Sequence, residues 1–187
     1  MLLDNSYTLH SGGAIGSDFA WGFVGEMFGL KNIKHYYYGN PTPYGNVHIS
    51  ASECIEGSDH VFKANQTLHR DSVSKYMDLL CRNWVQVKNA STIYAIGFVS
   101  INGHVSGGTA WAVQMAIDEK KPVFVFNQYD STWLLWDYSM KAFREYRKTP
   151  TLTRNFAGIG TRNLQANGLQ AIIDCYTETT TEKTLFD

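Results

Sequence analysis

The chain has 187 residues, of which 16 are basic and 17 acidic, and its formal net charge is −1. This length fits one domain with a sizeable core. Neither sign of charge forms a block along the chain, which argues against a nucleic-acid-binding stripe and a polybasic membrane patch and makes a small molecule the expected partner.

Short apolar runs rich in β-forming residues, each followed by a helical pattern, recur along the chain. This order is typical of an α/β fold with a mainly parallel sheet. The first half contains strand candidates at 7–10 and 33–38, separated by a helix from about Ser17 to Phe28. A proline-containing loop at 39–48 then leads into a helix between Ser52 and Leu68, because the prolines exclude a helix from the loop itself.

Residues 72–88 carry the clearest helical pattern, with Asp71 or Ser72 placed to cap the helix N-terminus. Its apolar residues share one stripe, which we expect to lie in the core: Val73, Met77, Leu80, Trp84 and Val87.

Unbroken apolar runs at 91–98 and 122–126 predict strands that are covered on both faces. A glycine bend and a crossover helix lie between them. Residues 129–150 are rich in aromatic side chains without a clear period, so we expect an insertion or a subunit interface there and, with it, a homo-oligomer. The chain continues with another strand, a third glycine bend and a helix. That helix places four apolar residues on one face: Leu169, Ile172, Ile173 and Tyr176.

The three cysteines are widely spaced and lie outside any CxxC or Cys/His cluster: Cys54, Cys81 and Cys175. Their odd number and spacing argue against a disulfide framework and a zinc site and favour a reducing compartment. The N-terminus lacks a basic start with a long apolar core, and no apolar run approaches the roughly 20 residues that span a bilayer. We expect a soluble cytoplasmic protein with no membrane association, no metal and no cofactor.

Glycine bends follow three predicted strands, at 11–18 (SGGAIGSD), 106–111 (SGGTAW) and 158–163 (GIGTRN). Loops after parallel strands meet at one edge of the sheet, where helix N-termini offer unpaired N–H groups to an anion and glycine lets the anion approach the backbone. None of the bends has the lysine of a P-loop or the dinucleotide-binding GxGxxG spacing, which disfavours ATP hydrolysis and nicotinamide chemistry. We expect a shared anion-binding cleft. The expected ligand contacts are Ser11, Gly12, Gly13, Ile15, Gly16, Asp18, Arg82, Gly107, Gly108, Thr109, Gly158, Gly160, Thr161 and Arg162.

Three charged residues allow alternative interpretations. Asp18 is either a helix-start acid favoured by the helix dipole, a ligand contact, or the catalytic group of an enzyme. Arg162 is placed to bind a phosphate in bidentate fashion. Arg82 lies on the polar side of the helix at 72–88 with Gln86, a pattern typical of a solvated face; if that side covers the cleft, Arg82 and Asn83 become contacts.

Histidine and aromatic residues near the bends are further candidates. His10 ends the first strand and is either structural or a ligand contact. Trp111 is expected in the core or at an interface, with base stacking as the alternative. Tyr38, Tyr44 and Asn46 belong to a loop that is a candidate lid over the ligand.

Three segments resemble the SLOG superfamily, named for the DNA-processing protein Smf/DprA and the cytokinin-activating LOG phosphoribohydrolases. LHSGGAIGSDFAWG resembles its SGGAxGAD segment, and VSGGTAWAVQMAI resembles its glycine-rich strand-to-helix segment. FAGIGTRNLQANGLQAI resembles the GxR or GTR unit with which those domains usually begin. The resemblance implies one Rossmann-like, three-layer domain over residues 1–187 that binds a nucleotide or a nucleotide-derived ligand.

The GTR-like unit comes last in this chain, so the resemblance implies a circularly permuted order. It predicts that the strand near 155–158 pairs close to the strand near 7–10 and that the chain termini lie near one another.

The LOG enzymes carry a PGGxGTxxE segment whose glutamate serves catalysis. Here Gly107, Gly108 and Thr109 are followed by no acid before Asp118, and Gln114 cannot act as a base near neutral pH. Cleavage of an N-glycosidic bond needs a positioned carboxylate. We therefore expect a binding protein rather than an enzyme. The alternatives are an N-ribosyl hydrolase or transferase using Asp18, and single-stranded DNA binding, for which composition promises no positive surface.

The whole pattern also resembles phage and prophage products, and SLOG-type domains resemble sensors of nucleotide immune signals in bacterial defence. The expected ligand is a cyclic nucleotide, an ADP-ribose-type molecule or a mononucleotide. The concrete hypothesis is an anti-defence protein that sequesters such a signal in the host cytoplasm.

Overall fold

A computed structural model describes residues 2–71 and 73–186, with side chains described as far as Thr181. The strands are β1 Thr8–Ser11, β2 Asn32–Tyr37, β3 Val47–His48, β4 Thr92–Gly97, β5 Val123–Asn127, β6 Thr132–Asp137, β7 Ala142–Tyr146 and β8 Asn155–Gly160. The helices are α1 Ser17–Met27, α2 Ala51–Leu68, α3 Met77–Asn89, α4 Thr109–Asp118 and α5 Ala166–Phe186. The strands form one sheet in the order β3-β2-β1-β8-β4-β5-β6-β7.

Helices cover both faces of the sheet. Along β4, Ile93 and Ala95 join a core cluster with α2, α3 and α4, whereas Tyr94 and Ile96 join a cluster with α1 and α5. The six strands from β3 to β5 in the sheet order pair with one another in parallel. Parallel strands that are apolar on both faces need a helical layer on each side, so the predicted α/β, Rossmann-like three-layer fold is confirmed.

Strand β8 lies between β1 and β4, although it is the last strand in the chain. Thr8 is in register with Asn155, and on the other side Ile93 is in register with Ala157. This confirms the predicted pairing of the last strand with the first. The helices after β1 and β8 lie on one face and the helix after β4 lies on the other, so a crevice opens beyond the carboxyl ends of β8 and β4.

The aromatic segment at 129–150 extends the sheet as an antiparallel hairpin of β6 and β7. Trp133 is buried against Phe126, with ring centroids 5.3 Å apart, and Trp136 packs on Phe143 at 5.0 Å. Much of its aromatic surface is therefore covered by the chain itself. The homo-oligomer stays a prediction.

The helix expected over residues 72–88 begins later than its apolar stripe suggests. A 3-10 turn at Ser74–Tyr76 precedes α3, and the backbone leaves helical geometry at Tyr76 (φ −116°). Val73 is nevertheless buried in the core, whereas Tyr76, three residues further on, is exposed. The alternative cap at Ser72 lies outside the described residues.

A disulfide joins α2 to α3, and the expectation drawn from cysteine spacing is wrong on this point. Cys54 and Cys81 are 27 residues apart in sequence, yet their Cα atoms are 5.1 Å apart. Gly57 allows this close approach, because a Cβ at that position would lie 2.5 Å from the carbonyl oxygen of Cys81. Cys175 is free and buried. The cysteines consequently carry no evidence for a reducing compartment.

Within the described part of the chain, the helices lack the combination of length and apolar character needed to cross a bilayer.

The glycine at the centre of β8 has a packing role that can be tested. A Cβ on Gly158 would lie 2.5 Å from Cγ of the fully buried Trp21, so Gly158→Ala is expected to destabilise the fold by about 1–3 kcal/mol. Gly97, in the adjacent central strand, is the matched control, since its Cβ would meet only ordinary contacts at 3.9 Å and beyond. Urea unfolding of both alanine variants gives the two free energies; equal stabilities would contradict this packing account.

Candidate functional site

The loops that follow β1, β4 and β8 meet at one cavity of about 520 Å³. Helix α3 forms one wall, and the N-terminal turn of α4 forms another. The cavity is lined by Ala14, Asp18, Arg70, Tyr76, Leu79, Leu80, Arg82, Asn83, Gln86, Phe98, Ser106, Gly107, Gly108, Thr109, Trp111, Ala112, Ile159, Gly160, Thr161 and Arg162.

The structure brings together eight of the residues expected to contact a ligand. These are Asp18, Arg82, Gly107, Gly108, Thr109, Gly160, Thr161 and Arg162. Two further candidates, Asn83 and Trp111, line the same cavity. All three glycine bends therefore contribute to one wall or another, as their positions after parallel strands predict.

Six expected contacts do not line this cavity: Ser11, Gly12, Gly13, Ile15, Gly16 and Gly158. The Ser11 hydroxyl is buried and donates to the carbonyl oxygen of Gly158 at 2.6 Å. Gly158 packs against Trp21, and the side chain of Ile15 is exposed to solvent. Ser11 and Gly158 thus make their contacts with other residues of the protein interior and not with the cavity.

Glycines of the first bend support the residues that do line the cavity. The carbonyl oxygen of Gly12 accepts a hydrogen bond from Arg82, and a Cβ on Gly12 would lie 2.5 Å from the Asp18 carboxylate. Gly16 has a φ of 102°, in the left-handed region that favours glycine, and lies against the backbone of Arg162. These close approaches within the fold are enough to explain the glycines of the first bend, and a bound anion is not needed to explain them.

The histidine and the loop residues considered as contacts lie elsewhere. His10 is buried and its Nδ1 lies 2.9 Å from the hydroxyl of Tyr36. The side chain of Asn46 makes hydrogen bonds to the backbone of β2. Tyr44 stacks on Phe19, with ring centroids 4.1 Å apart. These contacts fix the loop at 39–48 against β2 and α1, and His10, Tyr38, Tyr44 and Asn46 are not among the cavity-lining residues.

Arg82 is the most constrained charged group of the cavity. Only 4% of it is exposed, and it donates hydrogen bonds to the carbonyl oxygens of Gly12 and Tyr36. The interpretation of its helix side as solvated is therefore wrong for Arg82 and for the fully buried Gln86. The polar side of α3 faces the crevice at the strand ends, so its polar side chains can be buried there. Asp78 on the same helix is exposed.

Asp18 is the carboxylate of the cavity lining. Its Oδ1 accepts the N–H of Gly160 at 3.0 Å, and its Oδ2 lies 3.8 Å from a guanidinium nitrogen of Arg82. Burial raises the pKa of the Asp18 carboxyl to about 6, although Arg82 and backbone N–H groups favour the ionised form. A carboxyl with this pKa can exchange a proton near neutral pH.

Arg70 was not expected at the site. It comes from the loop before α3 and places its guanidinium 4.7 Å from the centre of the Trp111 ring. It also donates to the carbonyl oxygens of Val105 and Gly107, at 3.0 Å and 2.5 Å. No local sequence pattern marks Arg70, because its partners lie 35 and 37 residues further along the chain.

Three polar atoms of cavity-lining residues have no hydrogen-bond partner within the described ranges 2–71 and 73–186. They are Nε of Arg82, Oε1 of Gln86 and Nε1 of Trp111. All three residues are more than nine-tenths buried. An unpaired buried polar group costs about 1–3 kcal/mol, so a ligand that pairs with these atoms recovers that energy.

The start of α4 is open to the cavity. Gly107 has a left-handed backbone (φ 65°), and a Cβ on Gly108 would meet no atom within 4 Å. The fold therefore supplies no packing reason for glycine at position 108. A ligand group that approaches the backbone closely would explain the glycine, because a side chain at this position would block it. The N-terminus of a helix favours an anionic group there.

No protein-family model, curated protein or solved structure matches this chain. A function is therefore inferred from the chemistry of the cavity rather than from the fold.

The raised pKa of Asp18 predicts a pH dependence of stability. Between about pH 4 and about pH 6 the folded protein keeps a proton that the unfolded chain has lost. Asp18 thus stabilises the fold at low pH, and about 3 kcal/mol of stability is lost as the pH rises through this window.

Asp18→Asn is expected to remove this part of the pH profile, because the amide does not titrate. Urea unfolding of both proteins over this pH range measures the difference. Parallel profiles for the two proteins would show that the Asp18 pKa is not raised by folding.

Proposed function

We propose that the protein binds a phosphate-bearing, nucleotide-derived ligand in this cavity. The observation that carries the proposal is that, among the residues that the structure describes, three arginines, Arg70, Arg82 and Arg162, line one cavity together with one carboxylate, Asp18. Burial lowers the pKa of the Arg82 guanidinium, Asp18 opposes this shift, and the charge on Arg162 lowers the pKa further, which is consistent with the two arginines lying close together. Guanidinium groups are well suited to phosphate because they offer paired N–H donors.

The volume and lining of the cavity support a ligand of nucleotide size. Small-molecule sites typically enclose about 300–1,000 Å³ with mostly apolar walls and a few polar groups, and this cavity measures about 520 Å³. Leu79, Phe98 and Trp111 supply apolar and aromatic surface for a base. We assign the phosphate to the open turn at Gly107–Thr109 and to Arg162, which lines the same cavity.

We favour binding of the ligand without hydrolysis of it. In the resemblance to the LOG enzymes, the catalytic glutamate belongs to the helix after the second glycine bend. The residue Gln114 of that helix bonds to Asp118 and is not among the residues that line the cavity. Sequestration of a nucleotide signal by a phage-encoded, permuted SLOG-type protein is the biological role we propose, and the pairing of β8 with β1 supports the permuted order.

Calorimetry with pure protein tests the binding. The ligand panel consists of cyclic nucleotides, ADP-ribose isomers and mononucleotides, and at least one is expected to bind. Arg162→Ala should weaken that binding about 10-fold or more, since charged hydrogen bonds to phosphate contribute about 1.5–3 kcal/mol.

Arg147→Ala is the matched control, because Arg147 is a largely exposed arginine on the sheet-edge side of the chain and is absent from the cavity lining. It should leave affinity unchanged. Absence of binding across the panel would refute the proposed function, and equal losses for both variants would refute the assignment of the phosphate.

Asp18 favours a second candidate, an N-ribosyl hydrolase or transferase. Its carboxyl lines the cavity and its pKa is raised to about 6, as a general acid or base requires. If the protein binds its ligand without hydrolysing it, nucleoside monophosphates incubated with the protein remain intact. Release of free base by the wild type, abolished in an Asp18→Asn variant that still binds the nucleotide, would establish the hydrolase instead.

A further inference from the structure

The cavity has a buried end and an exposed end. Gln86 is fully buried, and Arg82 and Trp111 are each 4% exposed. Ser106, Gly107 and Arg162, by contrast, are exposed residues of the same lining. We call the buried end, formed by Arg82, Gln86 and Trp111 with their apolar neighbours, the floor. Gly107, Gly108 and Arg162, at which we place the phosphate, belong to the exposed end, whereas Arg82 belongs to the floor.

The floor combines one free acceptor with two free donors. The amide of Gln86 is oriented by its Nε2, which donates to Oδ1 of Asn83 at 3.4 Å and leaves Oε1 without a partner. Nε of Arg82 and Nε1 of Trp111 are donors without a partner among the described residues. Arg82 and Gln86 are four residues apart on α3, so their side chains are neighbours on one helix face.

The chemistry of these atoms excludes a second phosphate on the floor. A phosphate near neutral pH offers mainly acceptors, so it would leave Oε1 of Gln86 unpaired and beside a negative charge. A matching group must donate one hydrogen bond and accept others from an adjacent position. The edge of a nucleobase does so, since each base presents donors and acceptors side by side.

The side chains around these atoms are apolar. Leu80, Ala112 and Ile159 line the same cavity, and each is 3% exposed or less. Burial of a base against such side chains adds apolar contact that a sugar hydroxyl does not provide.

We infer that the floor is a nucleobase site, in which Gln86 accepts a hydrogen bond from the base and Arg82 donates one to it. The inference rests on the proposed function and adds that affinity depends on the base, with Gln86 as the specificity-determining residue. Ligands of the same phosphate content but without a base should bind poorly.

The experiment compares AMP, GMP, CMP, UMP and ADP-ribose with ribose 5-phosphate by calorimetry. The tightest of the five is expected to bind at least about 10-fold better than ribose 5-phosphate. Gln86→Leu should remove most of that advantage while changing the affinity for ribose 5-phosphate by less than about 2-fold. The variant should fold, because the Oε1 that leucine removes has no partner among the described residues and the lost Nε2 makes only a 3.4 Å hydrogen bond to Asn83.

Gln114→Leu is the matched control: the same substitution on a helix next to the site, at a residue outside this cavity. It should leave all affinities unchanged. Equal binding of ribose 5-phosphate and the nucleotides would overturn the base site and leave the proposed function standing. A Gln86→Leu variant that loses both classes of ligand equally would overturn the role of Gln86. Failure of the wild type to bind any of these compounds or any cyclic nucleotide of the panel above would refute the proposed function itself.

Discussion

The buried guanidinium of Arg82 is the constraint on which the rest of the site depends. A charge removed from water must be paired and hydrogen-bonded, and Arg82 finds its partners on three separate elements. They are the carbonyl of Gly12 after β1, the carbonyl of Tyr36 in β2, and the carboxylate of Asp18 in α1. Asp18 in turn accepts the N–H of Gly160 at the end of β8. One side chain on α3 thus links the first and third bends and fixes the shape of the cavity between them.

The three glycine bends look alike in sequence but differ in physical role. In the first bend, glycine is needed because Arg82 and Asp18 approach Gly12 so closely that a Cβ would clash. In the second, Gly108 faces open space and its backbone is accessible. An anion-binding turn is therefore best sought after β4, while the turn after β1 holds the arginine that the cavity requires. A glycine motif alone does not distinguish close packing within the fold from a backbone left open to a ligand, because glycine serves either purpose.

Much of the fold was predictable from apolar patterns, and the reasons for the failures are specific. Buried parallel strands such as β4 and β5 are unbroken apolar runs, and the adjacency of β8 to β1 followed from the family resemblance. The failures concern how α2 and α3 pack, which local spacing does not encode. This packing determines the disulfide between Cys54 and Cys81, and it determines the burial of Arg82 and Gln86. Arg70 reaches Trp111 from a distant loop, so no pattern around either residue predicts the contact.

The central proposal for this protein is that a nucleotide binds with its phosphate at the start of α4 and its base against Gln86. The measurement that tests it most directly is a crystal structure of the protein grown with its tightest ligand from the nucleotide panel. The expected result is phosphate density within hydrogen-bond distance of Gly108 and Arg162, with the base edge against Oε1 of Gln86 and Nε of Arg82. A ligand bound outside this cavity, for example in the second cavity of about 500 Å³ beside Gln114 and Trp136, would contradict it.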